Sequence, residues 1–260
     1  MRIASWNINS VRARLDHLIG WLNRANPDVV CLQETKVEDA KFPEEAIADA
    51  GYRTVVFGQK SYNGMAIAAR MGLTIEDVKR NLDGDDGADA PRRLLACSVE
   101  GVRVINVYVP NGQAVGTPAF AYKLAWLGRL RLDLAAHHTP AEPLLVCGDF
   151  NVAPEPIDVH NPQRWEGQVL FHPAERAALR DVMAWGLVDG FRRHHDEPGH
   201  YTWWDYRLNA FRRNQGLRID HMLITAPLAA RSTDVWIDKS PRQLERPSDH
   251  TPIVFDFDAP

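Results

Sequence analysis

The stretch at residues 144–151, LLVCGDFN, constrains the fold most. Four apolar residues, Leu144, Leu145, Val146 and Cys147, run into Gly148, Asp149, Phe150 and Asn151. A short apolar run that stops at glycine reads as a buried strand. Its carboxylate and amide then sit at the C-terminal end, where α/β sheets keep their ligands. A strand running into an Asx turn would use the same residues, since Asp and Asn bond their own backbone there.

The rest of the chain supplies the surrounding sheet. Residues 2–8 and 28–34 read as strands. Between them Val11, Leu15, Leu18, Ile19 and Leu22 share a helical face, with Ser10 as cap and Pro27 as stop. A short helix near 43–50 ends at Gly51, and strands at 52–58 and 65–70 flank a turn at Ser61-Tyr62-Asn63-Gly64. Residues 94–99 and 102–109 form a hairpin about Glu100-Gly101. A helix at 119–136, with Phe120, Leu124, Leu127 and Leu134 on one side, leads into the central strand. A Pro-rich loop at 153–167 follows, then a helix from Pro173 to Gly186 with Leu179, Val182 and Met183 inward. Residues 219–225, 234–237 and 252–257 are the last strands. Strands come in groups with helices between the groups, and no repeat or linker divides the chain. The expected fold is therefore α/β (α+β): one domain over 1–260, a four-layer sandwich of two packed mixed β-sheets flanked by helices.

With 260 residues, 45% of them apolar, one large core is feasible. The net charge of -4 argues weakly against a nucleic-acid binder, most of which are basic, although site carboxylates would mask local basic patches. Cys31, Cys97 and Cys147 lie in apolar runs without zinc spacing, which reads as buried, reduced thiols in a cytoplasmic protein. The start, MRIASWNIN, lacks an apolar signal region. No apolar run approaches the roughly 20 residues of a membrane helix, so no membrane partner is expected. The acids of NLDGDDGADA, residues 81–90, miss calcium-loop spacing and read as a solvated loop. His194, His195 and His200 likewise read as a polar loop rather than a second metal site.

Polar groups recur where strands stop: Asn7, Glu34, Tyr108 with Asn111, Asp149 with Asn151, Asp220, and Asp249 with His250. Each alone has a structural explanation, such as a turn at Asn7 or Asp220 holding Arg218. Their recurrence from end to end suggests a site assembled from distant strands. Carboxylates and amides without thiols or clustered histidine ligands favour a hard ion, Mg²⁺ or Mn²⁺, over zinc. A hard ion, a base carboxylate and one histidine suit hydrolysis of a phosphate ester.

The motifs SWNINSVR, LQETK, NVYVPNG, GDFN, DVHNP, YTWWDYR, GLRIDH and SDHTPI span nearly the whole chain. In that order they resemble the endonuclease/exonuclease/phosphatase family, in its bacterial exonuclease III and apurinic-site endonuclease branch. The resemblance implies a Mg²⁺-dependent (or Mn²⁺-dependent) DNA repair phosphodiesterase. It would cut 5′ to abasic sites, trim 3′ ends and digest 3′→5′ from duplex ends, with double-stranded DNA as partner and a monomer as the working form. It also implies roles: Glu34 on the metal with Asn7 beside it, Asp149 activating water, and Asn151 orienting Asp149. Asp220 would pair with His250, which contacts the scissile phosphate. Asp249 would lie at the metal or hold the nucleophile, and Tyr108, Asn111 and Asn161 would bond or face the phosphate. Trp203, Leu217 and Ile219 would wall a pocket for a flipped-out abasic sugar, with Arg207 pushed into the helix gap. Leu217 stands where eukaryotic relatives carry Trp.

Arg212, Arg213 and Arg218 are expected on flanking phosphates, and Arg12, Lys36, Arg242 and Arg246 on the DNA backbone. Two rivals remain open. A same-fold phosphatase or phosphodiesterase for a small molecule or lipid would lack the aromatic-basic block at 201–207. A non-catalytic DNA-binding relative would be expected to lose a core acid or the histidine.

Overall fold

The structure is a computed structural model and describes residues 1–259. In chain order these form β1 (Arg2–Asn7), α1 (Leu15–Ala25), β2 (Val29–Gln33), α2 (Glu44–Asp49), β3 (Tyr52–Phe57), β4 (Met65–Arg70), β5 (Ile75–Arg80), β6 (Leu94–Val99), β7 (Val102–Tyr108), α3 (Pro118–His137), β8 (Leu144–Asp149), α4 (Pro162–Trp165), α5 (Pro173–Met183), β9 (Leu187–Asp189), β10 (Asp220–Thr225), α6 (Ala226–Ala229), β11 (Ser232–Ile237) and β12 (Ile253–Phe257).

The strands divide into two six-stranded mixed sheets, β11-β12-β1-β2-β4-β3 and β5-β6-β7-β8-β10-β9. Each sheet is built round one parallel pair, β1 with β2 and β7 with β8, and its other pairings are antiparallel. A parallel pair needs a crossover, and α1 and α3 supply the two. The sheets pack face to face on an apolar core that includes Ile3, Cys31, Ile67, Cys97, Val104, Leu145, Cys147, Met222 and Phe255. The outer face of the first sheet is covered by α1 and α2 through Leu18, Trp21, Leu22 and Ile47. That of the second is covered by α3 and α5 through Trp126, Leu127, Leu130, Leu179 and Val182. Central strands covered on both faces read as continuous apolar runs, which is why β2 and β8 are visible in the sequence. The four-layer sandwich of two mixed sheets is thus present. Cys31, Cys97 and Cys147 are buried and unpaired, and among the described residues no helix is long and apolar enough to cross a membrane.

The structure corrects several local expectations. Helix α1 starts at Leu15, and Ser10 does not cap it. The backbone N–H groups of Ser10 and Val11 bond instead to the carbonyls of Glu34 and Thr35, which holds that segment against the end of β2. Strands β5 and β9 carry no apolar run and went unanticipated; both are sheet edges, where polar residues and short length are the rule. The buried face of α3 includes Lys123, Trp126 and Leu130, whereas Leu124 is half-buried. In α5, Leu179 and Val182 are buried but Met183 is half-buried. The long 153–167 loop is broken by two short helical turns at Pro156–Asp158 and Pro162–Trp165.

Gly148 in β8 lies at φ +140°, and a Cβ there would fall 1.9 Å from the Val107 carbonyl oxygen of β7. Backbone on the adjacent strand cannot swing aside as a side chain would. Gly148→Ala is expected to destabilise the protein by about 3 kcal/mol, the upper end of overpacking costs. At this chain length that is a fall in Tm of roughly 6–12 °C by calorimetry. A fall of less than about 2 °C would show that the two strands can separate to admit the methyl group.

Candidate active site

The C-terminal ends of β1, β2, β7 and β8 meet at one rim of the sandwich, where loop backbone replaces the ladder. Glu34, Lys36 and Asn151 all have positive φ there (52°, 55° and 52°). Such non-glycine conformations cost energy and cluster at functional sites. Asn7, the last residue of β1, reaches across the seam between the sheets. Its Nδ2 donates to Glu34 Oε1 (2.8 Å) and to Asp149 Oδ2 (2.9 Å), so one amide ties two carboxylates together. Asn151 donates its backbone N–H to Asp149 Oδ1 (2.9 Å) and its Nδ2 to Asp149 Oδ2 (3.1 Å). Asn111 donates to Asn151 Oδ1 (3.0 Å), extending the chain.

On the other side of Asp149 lies His250. Its Nε2 is 3.7 Å from Asp149 Oδ2, and its Nδ1 is 2.9 Å from Asp220 Oδ2. The expectation that Asp220 holds Arg218 competes with this pairing, and the structure gives Asp220 to His250. Thr202 Oγ1 accepts from the N–H groups of Ile219 and Asp220, 3.1 Å each, and fixes where β10 begins. Ser248 Oγ donates to the Asn7 carbonyl (2.7 Å) and accepts from the His250 N–H (3.2 Å), tying the His250 loop to β1.

Burial pushes the Asp149 carboxyl up to about 7, helped by Asp220 and Glu34 and opposed by the His250 charge and the Asn7 bond. Burial pulls His250 down, but Asp220 and Asp149 outweigh it and lift the imidazole to about 10. Burial, then the charges of Glu34 and Asp149, push the Tyr108 hydroxyl well above its ordinary value. Burial also raises Asp249, yet the His250 charge and the bonds from Trp203 and Asn9 hold it below the usual carboxylate range.

The donor set fits a hard cation. Glu34, Asp149 and Asp220 offer oxygen atoms, and Asp220 Oδ1 is buried with no hydrogen-bond partner. Asp149, Asp220 and His250 each place a ligand atom within 4.8 Å of the other two. Asp249 is differently placed: Oδ1 accepts from Asn9 (2.9 Å) and Oδ2 from the Trp203 indole (3.0 Å), so both oxygens are engaged.

Beside this cluster, joined to it through Trp203, lies an open cavity of about 610 Å³ lined by residues including His160, Arg164, Trp165, Trp203, Arg207 and Leu208. The substrate-side residues named from the sequence take different positions around it. Leu217 and Ile219 are buried behind Trp203, packed with Val159, Leu170 and Phe171, and so back the cavity rather than line it. Arg207 projects into solvent and pairs with Asp205 (2.6 Å). Lys36 lies on Glu34 (2.7 Å) and Asn9 (2.6 Å). Asn161 is exposed and caps the turn of α4 by accepting from the Arg164 N–H, so it makes no bond to the cluster. Arg218 is not a surface cation: it is fully buried between Asp158 and Asp189, 2.7 Å from each. Arg242 is also buried, under the rings of Tyr206 and Phe211, and donates to the Trp204 carbonyl. Arg12, Arg212, Arg213 and Arg246 remain on the surface.

Sequence reading missed Lys123. Its ammonium is fully buried on Glu175 and donates to the carbonyls of Asn151 (2.6 Å) and Asn111 (3.1 Å), bracing both site loops from beneath. The available signal was a lysine three residues after Phe120, on the apolar stripe of α3. Asn9 was missed too, because it looks like a simple turn residue.

The Endonuclease/Exonuclease/phosphatase family matches residues 4–250. The exodeoxyribonuclease III of Haemophilus influenzae is 35% identical over 269 residues, covering 99% of this chain and 100% of its own. An AP endonuclease from Archaeoglobus fulgidus has the same structure at a TM-score of 0.94 and 42% identity, with 99% of each chain covered. A 3′ phosphatase from Neisseria, solved with a product DNA hairpin, matches at a TM-score of 0.94 and 40% identity, again with 99% of each chain covered. This chain belongs to the endonuclease/exonuclease/phosphatase family.

Proposed function

We propose that this protein is a Mg²⁺-dependent DNA repair phosphodiesterase that cleaves duplex DNA 5′ to abasic sites and leaves a 3′-hydroxyl. Trimming of 3′ ends and 3′→5′ digestion belong to the same site. The observation that carries the reading is the buried array Asn7–Asp149–His250–Asp220, a carboxylate beside an imidazolium whose far nitrogen is held by a second carboxylate. The relatives named above, an exodeoxyribonuclease, an AP endonuclease and a 3′ phosphatase, all act on nucleic-acid phosphate esters by name, and one was solved with DNA. A small-molecule or lipid phosphatase is disfavoured by the aromatic and cationic lining of the cavity at Trp165, Trp203, Arg164 and Arg207. We take residues 1–260 as one catalytic unit that works as a cytoplasmic monomer.

Glu34 and Asp149, bridged by the Asn7 amide, would hold the Mg²⁺. When bound, the cation neutralises charge on the phosphate oxygens. Asp149 accepts a proton from the attacking water, and Asn7 and Asn151 fix the direction in which its oxygens point. The water oxygen adds to phosphorus, the bond to the 3′ oxygen breaks, and that oxygen departs with the bonding pair and takes a proton from solvent water to become the 3′-hydroxyl. His250 keeps Nδ1–H on Asp220 and presents Nε2–H to the phosphate, so its positive charge opposes the charge that develops there. Tyr108, un-ionised at working pH, and Asn111 would donate to the same oxygens. Trp203 would form the apolar wall met by a flipped-out sugar.

A labelled duplex with one abasic site should be cut 5′ to the lesion with Mg²⁺ and not with EDTA. Asp149→Ala should lower turnover by about 10²–10⁴-fold while DNA binding persists. Absence of cleavage by folded wild type would reject abasic-site cleavage and move the test to 3′-phosphate ends.

The His250 charge gives a second test. Asp220 raises the imidazole, so the charged form is present below about 10 and is lost above it. Asp220→Asn should bring the titration down toward the ordinary histidine value of about 6.5. The variant should then lose more activity at roughly pH 8, where it has become neutral, than at roughly pH 6. Histidine NMR titration and the pH–rate profile read both; an equal loss at the two pH values would show that the imidazole charge does not contribute.

A further inference from the structure

We infer that His195, Glu197 and His200 form a binding site for a borderline divalent transition metal such as Zn²⁺, on the opposite chemical footing from the oxygen-rich catalytic cluster. The sequence reading set these histidines aside as a polar loop. In the fold each contributes a ligand atom within 4.8 Å of the other two. His200 Nε2 is 2.9 Å and His195 Nδ1 is 3.6 Å from the same Glu197 oxygen. Ligands on a tetrahedral zinc, with bonds of roughly 2.0 Å, sit about 3.3 Å apart, so these spacings need little adjustment.

Three further observations point to a ligand set rather than a chance surface cluster. First, His195 Nε2 is 2.8 Å from the Val235 carbonyl and donates its hydrogen there, which leaves Nδ1 as a lone pair directed toward Glu197. A ring nitrogen donated to a backbone carbonyl is how metal-bound histidines are oriented. Second, the loop is braced in advance. Arg192, anchored on buried Asp158, donates to the carbonyls of His195 and Glu197, 3.0 Å each, and Asn214 holds the Gly199 carbonyl at 3.0 Å. The His195 ring is also stacked on Phe191, with centroids 4.4 Å apart. Third, among the described residues no lysine or arginine is ion-paired with Glu197. The cluster of Asp83, Asp133 and His137 differs there: the Lys79 ammonium lies 2.6 Å from Asp133 and 3.0 Å from Asp83 and already serves as its cation.

Two imidazoles and one carboxylate suit zinc, cobalt or nickel and disfavour Mg²⁺, which prefers oxygen ligands and keeps its waters. All three side chains are partly open to solvent, with His195 at 25%, Glu197 at 53% and His200 at 33%, so water would complete the coordination. The site ties the two ends of the 195–200 loop together just before the Tyr201–Arg207 block.

The test is calorimetric titration of Zn²⁺ into chelator-treated protein in saturating Mg²⁺, with NMR of the histidine ring nitrogens. Wild type should bind one equivalent that perturbs His195 Nδ1 and His200 Nε2. His200→Ala, or the size-conserving Glu197→Gln, should weaken that event at least about tenfold. Glu197 is exposed and His200 half-buried, and circular dichroism should show both variants folded. Asp149→Ala should leave the event intact. The inference is overturned if the His200 and Glu197 variants bind zinc as wild type does, or if Asp149→Ala abolishes the only binding seen.

Discussion

Two apolar sheets packed face to face have little to fix their relative position, and here buried hydrogen bonds across the seam do so. Gln33 Nε2 of β2 donates to Asn106 Oδ1 of β7 at 2.7 Å, and Asn106 Nδ2 returns bonds to the carbonyls of Leu32 and Ala66, 3.1 Å each. One layer further along, Asn7 of β1 binds Asp149 of β8. At the rim, His250, which precedes β12, binds Asp220 of β10. A buried polar group without its partner costs more than the bond itself contributes, so each pair penalises any slip of one sheet over the other. The catalytic geometry is the outer end of that seam. Its precision comes from the same bonds that register the sheets.

The seam also explains the electrostatics. Glu34, Asp149, Asp220 and Asp249 are brought around one imidazole and one ammonium, that of Lys36. The amides of Asn7 and Asn151 soften the repulsion but carry no net charge. Negative charge therefore remains in excess, and it is least compensated at Asp149, whose carboxyl is pushed up first by burial and then by Asp220 and Glu34. A cation bound near Glu34 would compete with Lys36, which sits on the carboxylate at 2.7 Å. On the proposed function, Lys36 would then be free to move from Glu34 to a DNA phosphate. That would reconcile its position in this fold with the backbone contact expected of it.

What the sequence made legible follows from what each residue has to satisfy. Strands buried on both faces must be apolar, so β1, β2, β4, β6, β7 and β8 stand out, and the polar residues at the ends of β1, β2, β7 and β8 are conspicuous. Edge strands β5 and β9 have no such requirement and left no mark. Side-chain direction was harder to read. Arg218, in the aromatic-basic block, and Arg242, beyond it, look like surface cations, yet paired carboxylates cover the first and aromatic rings the second. Leu217 and Ile219 have the apolar character of a pocket wall, but burial behind Trp203 uses it first. Lys123 was hidden for the opposite reason, since its partner Glu175 lies 52 residues away and no local pattern links them.

The division of labour within the site bears on how relatives of one architecture come to carry different names. The groups that would perform hydrolysis sit at the ends of paired strands and are held by several bonds each. The cavity beside them is lined by residues of loops and short helical turns, and among the described residues Trp203 joins the two, through its indole bond to Asp249 and its backbone bridge to His250. Rigid strands suit chemistry that needs fixed distances, whereas loops can change shape at little cost to the core. Leu208, 76% exposed at φ +57°, and the solvent-facing Arg207 lie on that loop rim. Preference among abasic sites, 3′ phosphates and ordinary 3′ ends would then be set by the 199–217 loop, acting on a hydrolytic centre that is the same for each.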